Sequence, residues 1–251
     1  REMDPSGMRR YHHRRYRGEN CCLSLAGNIR ENLIRHVLNS PLAELETLPE
    51  TDPSETTRSA LSFKRGHACR RFPRLEAARL MMVWPVASAD DQLAVAGADL
   101  ATTILAEGRR SRLVQRLREE LQIVESIDMD VTTLELGSLV MLEACCPDDQ
   151  IECVEMEINR QLEQSLTSAI EEEEFNRAMQ LVGNGHRFSL EAPGSVAASA
   201  GSQTLWGRNR DLLAPLQDLT HWDATALRQQ VMPLLQPGNS FTLIARSEDN
   251  N

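Results

Sequence analysis

The chain has 251 residues, of which 41% are hydrophobic and 25% are charged, and its formal net charge is −10. This length and composition are sufficient for a globular core in one large or two smaller domains. The negative charge argues against a general nucleic-acid surface and against an anionic-membrane surface. The sequence contains no run of about 18 apolar residues, so it predicts no membrane-spanning helix.

The first forty residues predict a helix, a strand and a second helix. Residues 7–17 are strongly basic and favour a short helix, and residues 21–26 form an apolar run of strand length. Residues 29–38 return to helical spacing. The adjacent pair His12-His13 has no matching Glu, so we interpret it as a surface or interface feature rather than a metal site. This group is too small for a domain and must pack on the rest of the chain or on something outside it.

Two segments of irregular composition follow. Residues 41–57 carry three prolines among Ser, Thr, Glu and Asp, which is typical of a linker. Residues 66–74 are basic and irregular, and we interpret them as a solvated loop.

The middle of the chain alternates strands and helices. Residues 76–85 predict a strand, and residues 91–107 predict a helix capped by Asp90 or a neighbour. Residues 108–130 begin as a helix, with Leu at positions 113, 117 and 121, and then change to the alternation of a strand. This joint between helix and strand would aim Arg118 against the sheet.

The last part of the chain adds one hairpin strand, several helices and a final strand. Residues 138–146 predict a strand antiparallel to the preceding one, and residues 147–162 start a helix. Four acids at 171–174 fit the first turn of a further helix better than a cation site. We expect two helices to meet near His186, then helices at 195–206 and 223–235 and a strand at 240–245. The order predicts an α+β fold with an antiparallel or mixed sheet covered by helices.

Six cysteines lack C-x-x-C or Cys/His ligand spacing. We interpret them as reduced, small apolar residues, which favours a reducing compartment such as the cytoplasm. They predict no metal site on this chain.

Four segments carry motifs in a fixed order. Residues 108–113 read G-x-x-S-R-L, residues 117–121 read L-R-E-x-x, and residues 170–178 space Ile, Glu and Ala by four. Residues 16–28 are similar to a Y-x-P-x-N strand followed by a G-[DN] turn. Together they resemble the insulinase/pitrilysin family of zinc peptidases, the inverzincins. The resemblance implies a metalloprotease-like two-layer sandwich of the LuxS and processing-peptidase type.

The same resemblance implies a domain organisation. Residues 1–40 would be the tail of a preceding peptidase-family domain, and residues 41–57 a linker. Residues 58–247 would be the non-zinc-binding, inactive domain of the family, followed by a polar tail at 248–251. The family's chemistry needs an H-x-x-E-H helix for zinc, and none of the six His stands in that motif. We therefore expect zinc in a partner or upstream domain, no cofactor on this chain, and no activity from it alone.

Two auxiliary site residues follow from the resemblance. The family's second domain can supply an Arg and, seven residues later, a Tyr that reach a substrate carbonyl. Arg118 matches the Arg, but Glu125 stands at the Tyr position and Gln122 where a Gly is usual. A Glu is an acceptor and would repel a developing oxyanion. The alternative for Arg118 is a surface ion pair with Glu120 or a neighbouring acid.

Three functions remain open from the sequence. The first is a non-catalytic domain that lines a peptide-binding chamber and pairs with a zinc-bearing domain or subunit. Its substrate would be a peptide or unfolded polypeptide, with no nucleic acid or membrane partner. The second is a catalytically dead scaffold or binding subunit of the same fold, which Glu125 favours slightly. The third is an unrelated α+β interaction domain.

Overall fold

The computed structural model describes residues 4–45 and 61–248. The chain divides into two compact units. One comprises Arg1–Arg58 and His186–Ala214, and the other Ser59–Gly185 and Pro215–Asn251. Most of the predicted linker, residues 46–57, and most of the polar tail, residues 249–251, lie outside the described residues, so the predicted domain boundaries stay a prediction.

The described residues form the following elements in chain order. The helices are α1 (Pro5–Arg15), α2 (Glu31–Leu38), α3 (Gln92–Ala106), α4 (Ile151–Thr167), α5 (Glu172–Ser189), α6 (Pro193–Leu205), α7 (Ala214–Leu219) and α8 (Ala224–Ala226). A π-helix spans Val114–Glu120, and α8 continues into a π-turn at Leu227–Val231 and a 3-10 turn at Met232–Leu235. The strands are β1 (Gly66–Phe72), β2 (Ala78–Val86), β3 (Ser126–Thr132), β4 (Ser138–Cys146) and β5 (Phe241–Ser247).

The second unit is built on one mixed sheet with the strand order β1-β5-β2-β4-β3. β1 runs parallel to β5, whereas the other neighbouring strands pair antiparallel. The predicted hairpin of β3 and β4 is present, with Ser126 opposite Cys145. The predicted α+β class with a mixed sheet is confirmed.

One face of the sheet carries the core. Alternate residues of β2, among them Leu80, Met82 and Trp84, are at most 1% exposed. The Trp84 indole Nε1 donates to the Gln236 carbonyl at 2.9 Å, so its polar atom is satisfied inside the core. α4 turns Ile151, Val154, Ile158 and Leu162 into this core, which is the face that its spacing predicts.

The opposite face of the sheet, which we call the open face, stays partly exposed. On β2 it carries Met81 and Val83, and on β4 it carries Leu139 and Met141, all of them half-buried. Because side chains alternate across a strand, the register that places Leu80 in the core places Met81 and Val83 outside it. Among the described residues of this unit, packed helices therefore cover the sheet on one side only.

The prediction of a solvated loop at residues 66–74 is wrong, because residues 66–72 form β1. The strand pairs with β5 through a register that joins Gly66 to Phe241. Almost all of β1 is exposed on both faces, so its sequence lacks the alternation of apolar and polar residues that marks a half-buried strand.

The predicted break near His186 is also wrong, because α5 continues through Gly183 and Gly185 to Ser189. Glycine in a helix costs about 1 kcal/mol relative to alanine, which the helix tolerates when it is anchored by packing. Ala178, Val182 and Gly183 are buried on one side of α5. The prediction of one regular helix at 223–235 is likewise replaced by a short α-helix, a π-turn and a 3-10 turn.

The first unit contains α1, α2, α6 and the segment of residues 21–26. This segment is not paired in a sheet, which corrects the prediction of a strand there. None of α1, α2 and α6 has a buried residue. The apolar side chains of α2, Leu33, Ile34 and Leu38, are between 41% and 66% exposed.

Candidate functional site

The π-helix follows a tight turn at Gly108. Gly108 has φ +77°, a left-handed conformation that glycine adopts without steric cost. The buried Ser111 hydroxyl donates to the Gly108 carbonyl at 2.7 Å and closes the turn. Leu113, Val114 and Leu117 then face the core, whereas Leu121 is 36% exposed. The sequence predicted that Leu113, Leu117 and Leu121 share one face of an α-helix. Because a π-helix has more residues per turn, Leu121 is rotated away from the face that Leu113 and Leu117 share.

Arg112 joins this turn to the start of α5. Its Nε and Nη2 donate to the two carboxylate oxygens of Glu174 at 2.8 and 2.7 Å. Its remaining donors reach the hydroxyls of Ser165 and Ser168 and the Ala169 carbonyl. Arg112 and Glu174 are only 16% and 14% exposed. Arg112 and Glu174, which are 62 residues apart in the sequence, therefore connect two of the motifs in the fold. Sequence analysis missed this contact.

A second ionic cluster holds the π-helix to α4. Arg116 Nε donates to Glu157 at 2.8 Å, and Arg160 binds the same carboxylate at 2.6 Å. The hydrogen bond from Arg160, with further donors from Arg116 and Gln161, lowers the pKa of Glu157 to about 2, although burial opposes this shift. The cluster fixes the element that carries Arg118.

Arg118 itself is exposed and makes no hydrogen bond or ion pair with the residues that the structure describes. Glu120, the partner expected for it in the surface alternative, binds Arg116 instead at 2.9 Å. The guanidinium of Arg118 is therefore available for another ligand.

Glu125 lies just before β3, beside Cys145 of β4. Its backbone N–H donates to the Cys145 carbonyl at 2.8 Å, and its carboxylate accepts from the Cys145 thiol with a separation of 3.6 Å. Burial, reinforced by the charge of Glu125, raises the pKa of the Cys145 thiol. The thiol therefore acts as a donor to Glu125 and not as a nucleophile. The structure shows no hydrogen bond or ion pair between Glu125 and Arg118 in its described residues.

The open face becomes acidic towards β3. Asp128 lies opposite Glu143 in the sheet register, and Glu143 pairs with Arg79 of β2. Burial raises the pKa of Asp128, and the charges of Glu143 and Asp130 raise it further. The face thus combines an apolar centre with a negatively charged margin.

Gln122 occupies the position where the family resemblance would place a glycine. It has φ +54°, one of two non-glycine residues with positive φ in the described chain. A side chain in this region costs about 1 kcal/mol per residue. The backbone therefore keeps the conformation that glycine favours, although the side chain has changed.

The described residues do not provide a zinc centre. No group of three or more His, Cys, Asp and Glu side chains converges in residues 4–45 and 61–248 in a way that would hold a metal ion. His67 binds Glu155, and His221 contacts the Gln217 carbonyl. These donors do not fit the zinc site of the peptidases. All six cysteines are free, and within the same residues no helix is long and apolar enough to cross a membrane.

The sequence profile described as the peptidase M16 inactive domain matches residues 3–182. The chain belongs to the M16 inactive-domain family. This confirms the resemblance to the insulinase/pitrilysin peptidases that the ordered motifs predicted. It also agrees with the lack of a zinc motif in this M16 domain.

Solved structures share the fold of this M16 domain. A protease from Helicobacter pylori superposes with a TM-score of 0.81 at 14% identity, over 98% of this chain and 60% of its own. A peptidase M16 inactive domain from Pseudomonas fluorescens gives 0.74 at 12% identity, over 98% and 58%. The periplasmic protease PqqL from Escherichia coli gives 0.60 at 16% identity, over 88% and 25%.

The M16 chain described here spans about three-fifths of the length of the first two of these proteins. At such low identity, the likeness shows the fold alone. No curated protein matches the sequence.

Proposed function

We propose that this chain is the non-catalytic half of an M16 peptidase, that its open face lines a peptide-binding chamber, and that it pairs with a zinc-bearing domain or subunit. The observation that carries the proposal is the sheet that is packed on one face only. Met81, Val83, Leu139 and Met141 stay half-buried on the other face. A flat, partly apolar face of this kind suits an extended polypeptide or a facing domain.

We place the zinc centre in the other half. This chain has no H-x-x-E-H motif, and its described residues hold no metal-binding cluster. The chain's own contribution is then binding and positioning. Arg118 is the residue that we propose to reach a carbonyl of the bound peptide, because its guanidinium is exposed and unpaired among the described residues.

Glu125 limits that contribution to binding. A carboxylate that accepts from the Cys145 thiol cannot donate to a developing oxyanion. Its charge would instead favour an N–H group or a cation of the bound peptide. We therefore propose that Arg118 and Glu125 contact the peptide without stabilising the transition state of the partner's reaction.

An internal similarity supports the proposal that residues 1–40 complete a preceding domain. Asn20 and Asn239 each end a three-residue 3-10 turn, and an extended residue follows each of them. Six residues later stand Ala26 and Ala245. After Asn239 the chain enters β5, which lies between β1 and β2. After Asn20 the chain enters residues 21–26, which are not paired in a sheet.

The exposed apolar surface of the first unit agrees with this proposal. Leu23 and Leu25 of the unpaired segment are 55% and 43% exposed, and the apolar face of α2 is exposed as well. Several exposed large apolar side chains within one unit are typical of an interaction site. We propose that residues 21–26 pair within the sheet of the preceding domain, as β5 does in its own sheet, and that α2 packs against that sheet.

The compartment is part of the same proposal. All six cysteines are free, and four of them, Cys21, Cys22, Cys69 and Cys153, are exposed. Exposed, unpaired thiols persist in reducing surroundings. We therefore propose a reducing compartment such as the cytoplasm.

The second candidate function is a scaffold or binding subunit without a role in proteolysis. The observation that favours it is Glu125, which stands where the family resemblance places a Tyr. In this case the open face would bind a polypeptide partner, and no catalytic half would depend on it.

The test is to reconstitute the chain with a zinc-bearing M16 half that is encoded in the same gene or in a neighbouring gene. We expect the chain alone to show no chelator-sensitive peptide hydrolysis and the pair to hydrolyse a fluorogenic peptide. Met141→Glu, which places a charge in the apolar centre of the open face, should raise the KM of the pair without preventing assembly. Hydrolysis by the chain alone contradicts the proposal. If Met141→Glu leaves the KM of the pair unchanged, the result favours the second candidate function, a scaffold or binding subunit.

A further inference from the structure

β1 is an edge strand of the sheet, and along one side of it the backbone groups of His67 and Cys69 are unpaired within the described chain. The Gly66 N–H donates to the Ser240 carbonyl at 3.2 Å, and the Phe72 carbonyl accepts from the Glu248 N–H at 3.1 Å. In a parallel ladder, alternate residues direct both backbone groups to the same neighbour. His67, Cys69 and Arg71 therefore direct their N–H and C=O groups away from β5. We call this side the β1 edge.

The β1 edge is accessible and strongly basic. Every residue of β1 except Ala68 is exposed. Residues 64–74 contain five cationic side chains and no acid, in a chain whose net charge is −10. The cations are Lys64, Arg65, Arg70, Arg71 and Arg74.

Part of this positive charge has no acidic partner among the described residues. Three acids near β1 bind other residues: Glu155 of α4 binds His67, whereas Asp148 and Glu152 bind Arg246 of β5. Arg65, Arg70 and Arg74 make no ion pair with a described residue. Arg70 only folds back onto the Cys69 carbonyl, at 3.2 Å. The β1 edge thus combines unpaired backbone groups with the positive charge of Arg65, Arg70 and Arg74.

We propose that the β1 edge binds an extended, acidic segment of a partner polypeptide by strand addition. The backbone groups of His67 and Cys69 would pair with the added strand, and its acidic side chains would face Arg65, Arg70 and Arg74. The backbone edge of β1 is a different surface from the open face, although Arg70 projects to the same side of the sheet as Met81. The inference does not depend on the proposed chamber.

Two other binding partners fit the β1 edge less well. A second copy of the chain would bring Arg70 and Arg71 of each β1 opposite like charges, which destabilises a strand pair. A nucleic acid would satisfy the arginines but not the alternating backbone donors and acceptors of an edge strand. An acidic polypeptide satisfies both sets of groups.

The experiment uses the full chain and labelled peptides of about seven residues, a typical strand length. One peptide alternates Glu with Val, a second replaces each Glu by Lys, and a third carries the Glu sequence with alternate backbone nitrogens methylated along one edge. We expect fluorescence anisotropy to show binding of the first peptide and at least about tenfold weaker binding of the other two. Methylation keeps the charge and removes the donors, so it separates strand addition from charge attraction.

Two variants test the site on the protein. Cys69→Pro removes an outward N–H but no bond to β5, and Arg70→Glu reverses one charge. Both should weaken binding of the Glu peptide about tenfold, whereas Arg109→Glu, the same charge change outside β1, should not. Circular dichroism checks that the variants keep the fold.

Several results would overturn the inference. These are equal binding of the methylated peptide, equal binding of the Lys peptide, and binding of a single-stranded oligonucleotide as tight as that of the Glu peptide. Dimerisation of the unliganded chain in sedimentation experiments that Cys69→Pro abolishes would assign the edge to a second copy instead. A Glu peptide that does not bind at all would also reject the proposal.

Discussion

Arg112 binds both carboxylate oxygens of Glu174 and thereby connects the turn after Gly108 to the first turn of α5. The pair is mostly buried, and the remaining donors of Arg112 are used by two hydroxyls and a carbonyl. Planar guanidinium groups suit this two-bond geometry. The contact therefore joins two of the motifs on which the family resemblance rests.

The first prediction concerns this contact. Arg112→Ala would leave the Glu174 carboxylate without its counter-ion, so we expect the free energy of unfolding to fall by about 3 kcal/mol. Arg110→Ala is the matched control, because the partners Arg110 and Glu173 are 70% and 76% exposed and such pairs contribute little. Urea unfolding followed by circular dichroism measures both. Equal losses in the two variants would contradict a structural role for Arg112.

The second prediction concerns the backbone at Gln122. Because its φ is +54°, Gln122→Gly should relieve strain and raise the free energy of unfolding by up to about 1 kcal/mol. Gln122→Ala keeps a Cβ and should give no such gain. The difference in the midpoint of urea unfolding between the two variants is the measurement. A gain with alanine as large as with glycine would show that the backbone is not the cause.

The third prediction compares two glycines in helices. A Cβ on Gly97 of α3 would overlap the indole of Trp222, whose Nε1 donates to the Leu93 carbonyl at 3.0 Å. We expect Gly97→Ala to destabilise the protein by about 1–3 kcal/mol. A Cβ on Gly185 of α5 meets nothing within 4 Å, so Gly185→Ala should stabilise by up to about 1 kcal/mol. Thermal unfolding of both variants tests the opposite signs.

The fourth prediction concerns acid stability. Arg160 and Arg116 lower the pKa of Glu157 from its usual value near 4.5 to about 2 in the folded protein. A depressed carboxylate pKa stabilises the fold fully above the unfolded value, and that stabilisation is lost as the pH falls from about 4.5 towards 2. Glu157→Gln should therefore flatten the fall of stability across this range, while lowering stability at pH 7. Unfolding free energies at several pH values measure this, and parallel curves for the two proteins would refute it.

The fifth prediction concerns the proposed peptide contact. In the reconstituted pair, Arg118→Ala should lower kcat/KM by roughly 10- to 100-fold, the range expected for one hydrogen bond from a charged donor. The zinc content of the partner should not change, because the described residues of this chain, Arg118 included, form no metal-binding cluster. Arg109→Ala is the control, since its contact with Glu119 is long and exposed. Unchanged turnover in Arg118→Ala would remove Arg118 from the substrate site.

The sequence by itself determined the elements whose residues are patterned locally. The spacing of Ile151, Val154, Ile158 and Leu162 predicted the buried face of α4, and an apolar run of strand length predicted β4. The ordered motifs led to the M16 family. The predictions of α4 and β4 succeeded because each depends only on residues within one helix or one strand.

Only the tertiary structure decided the features that depend on distant partners. Residues 66–72 form a strand because they pair with β5 near the other end of the chain, where Gly66 lies opposite Phe241. No periodicity within residues 66–72 indicates this pairing. The partners of the arginines were equally hidden: Arg116, held by Glu157 of α4, also takes Glu120, which leaves Arg118 unpaired among the described residues. Charge pairing follows from distance in space, so one sequence could name the candidate residues but not assign their contacts.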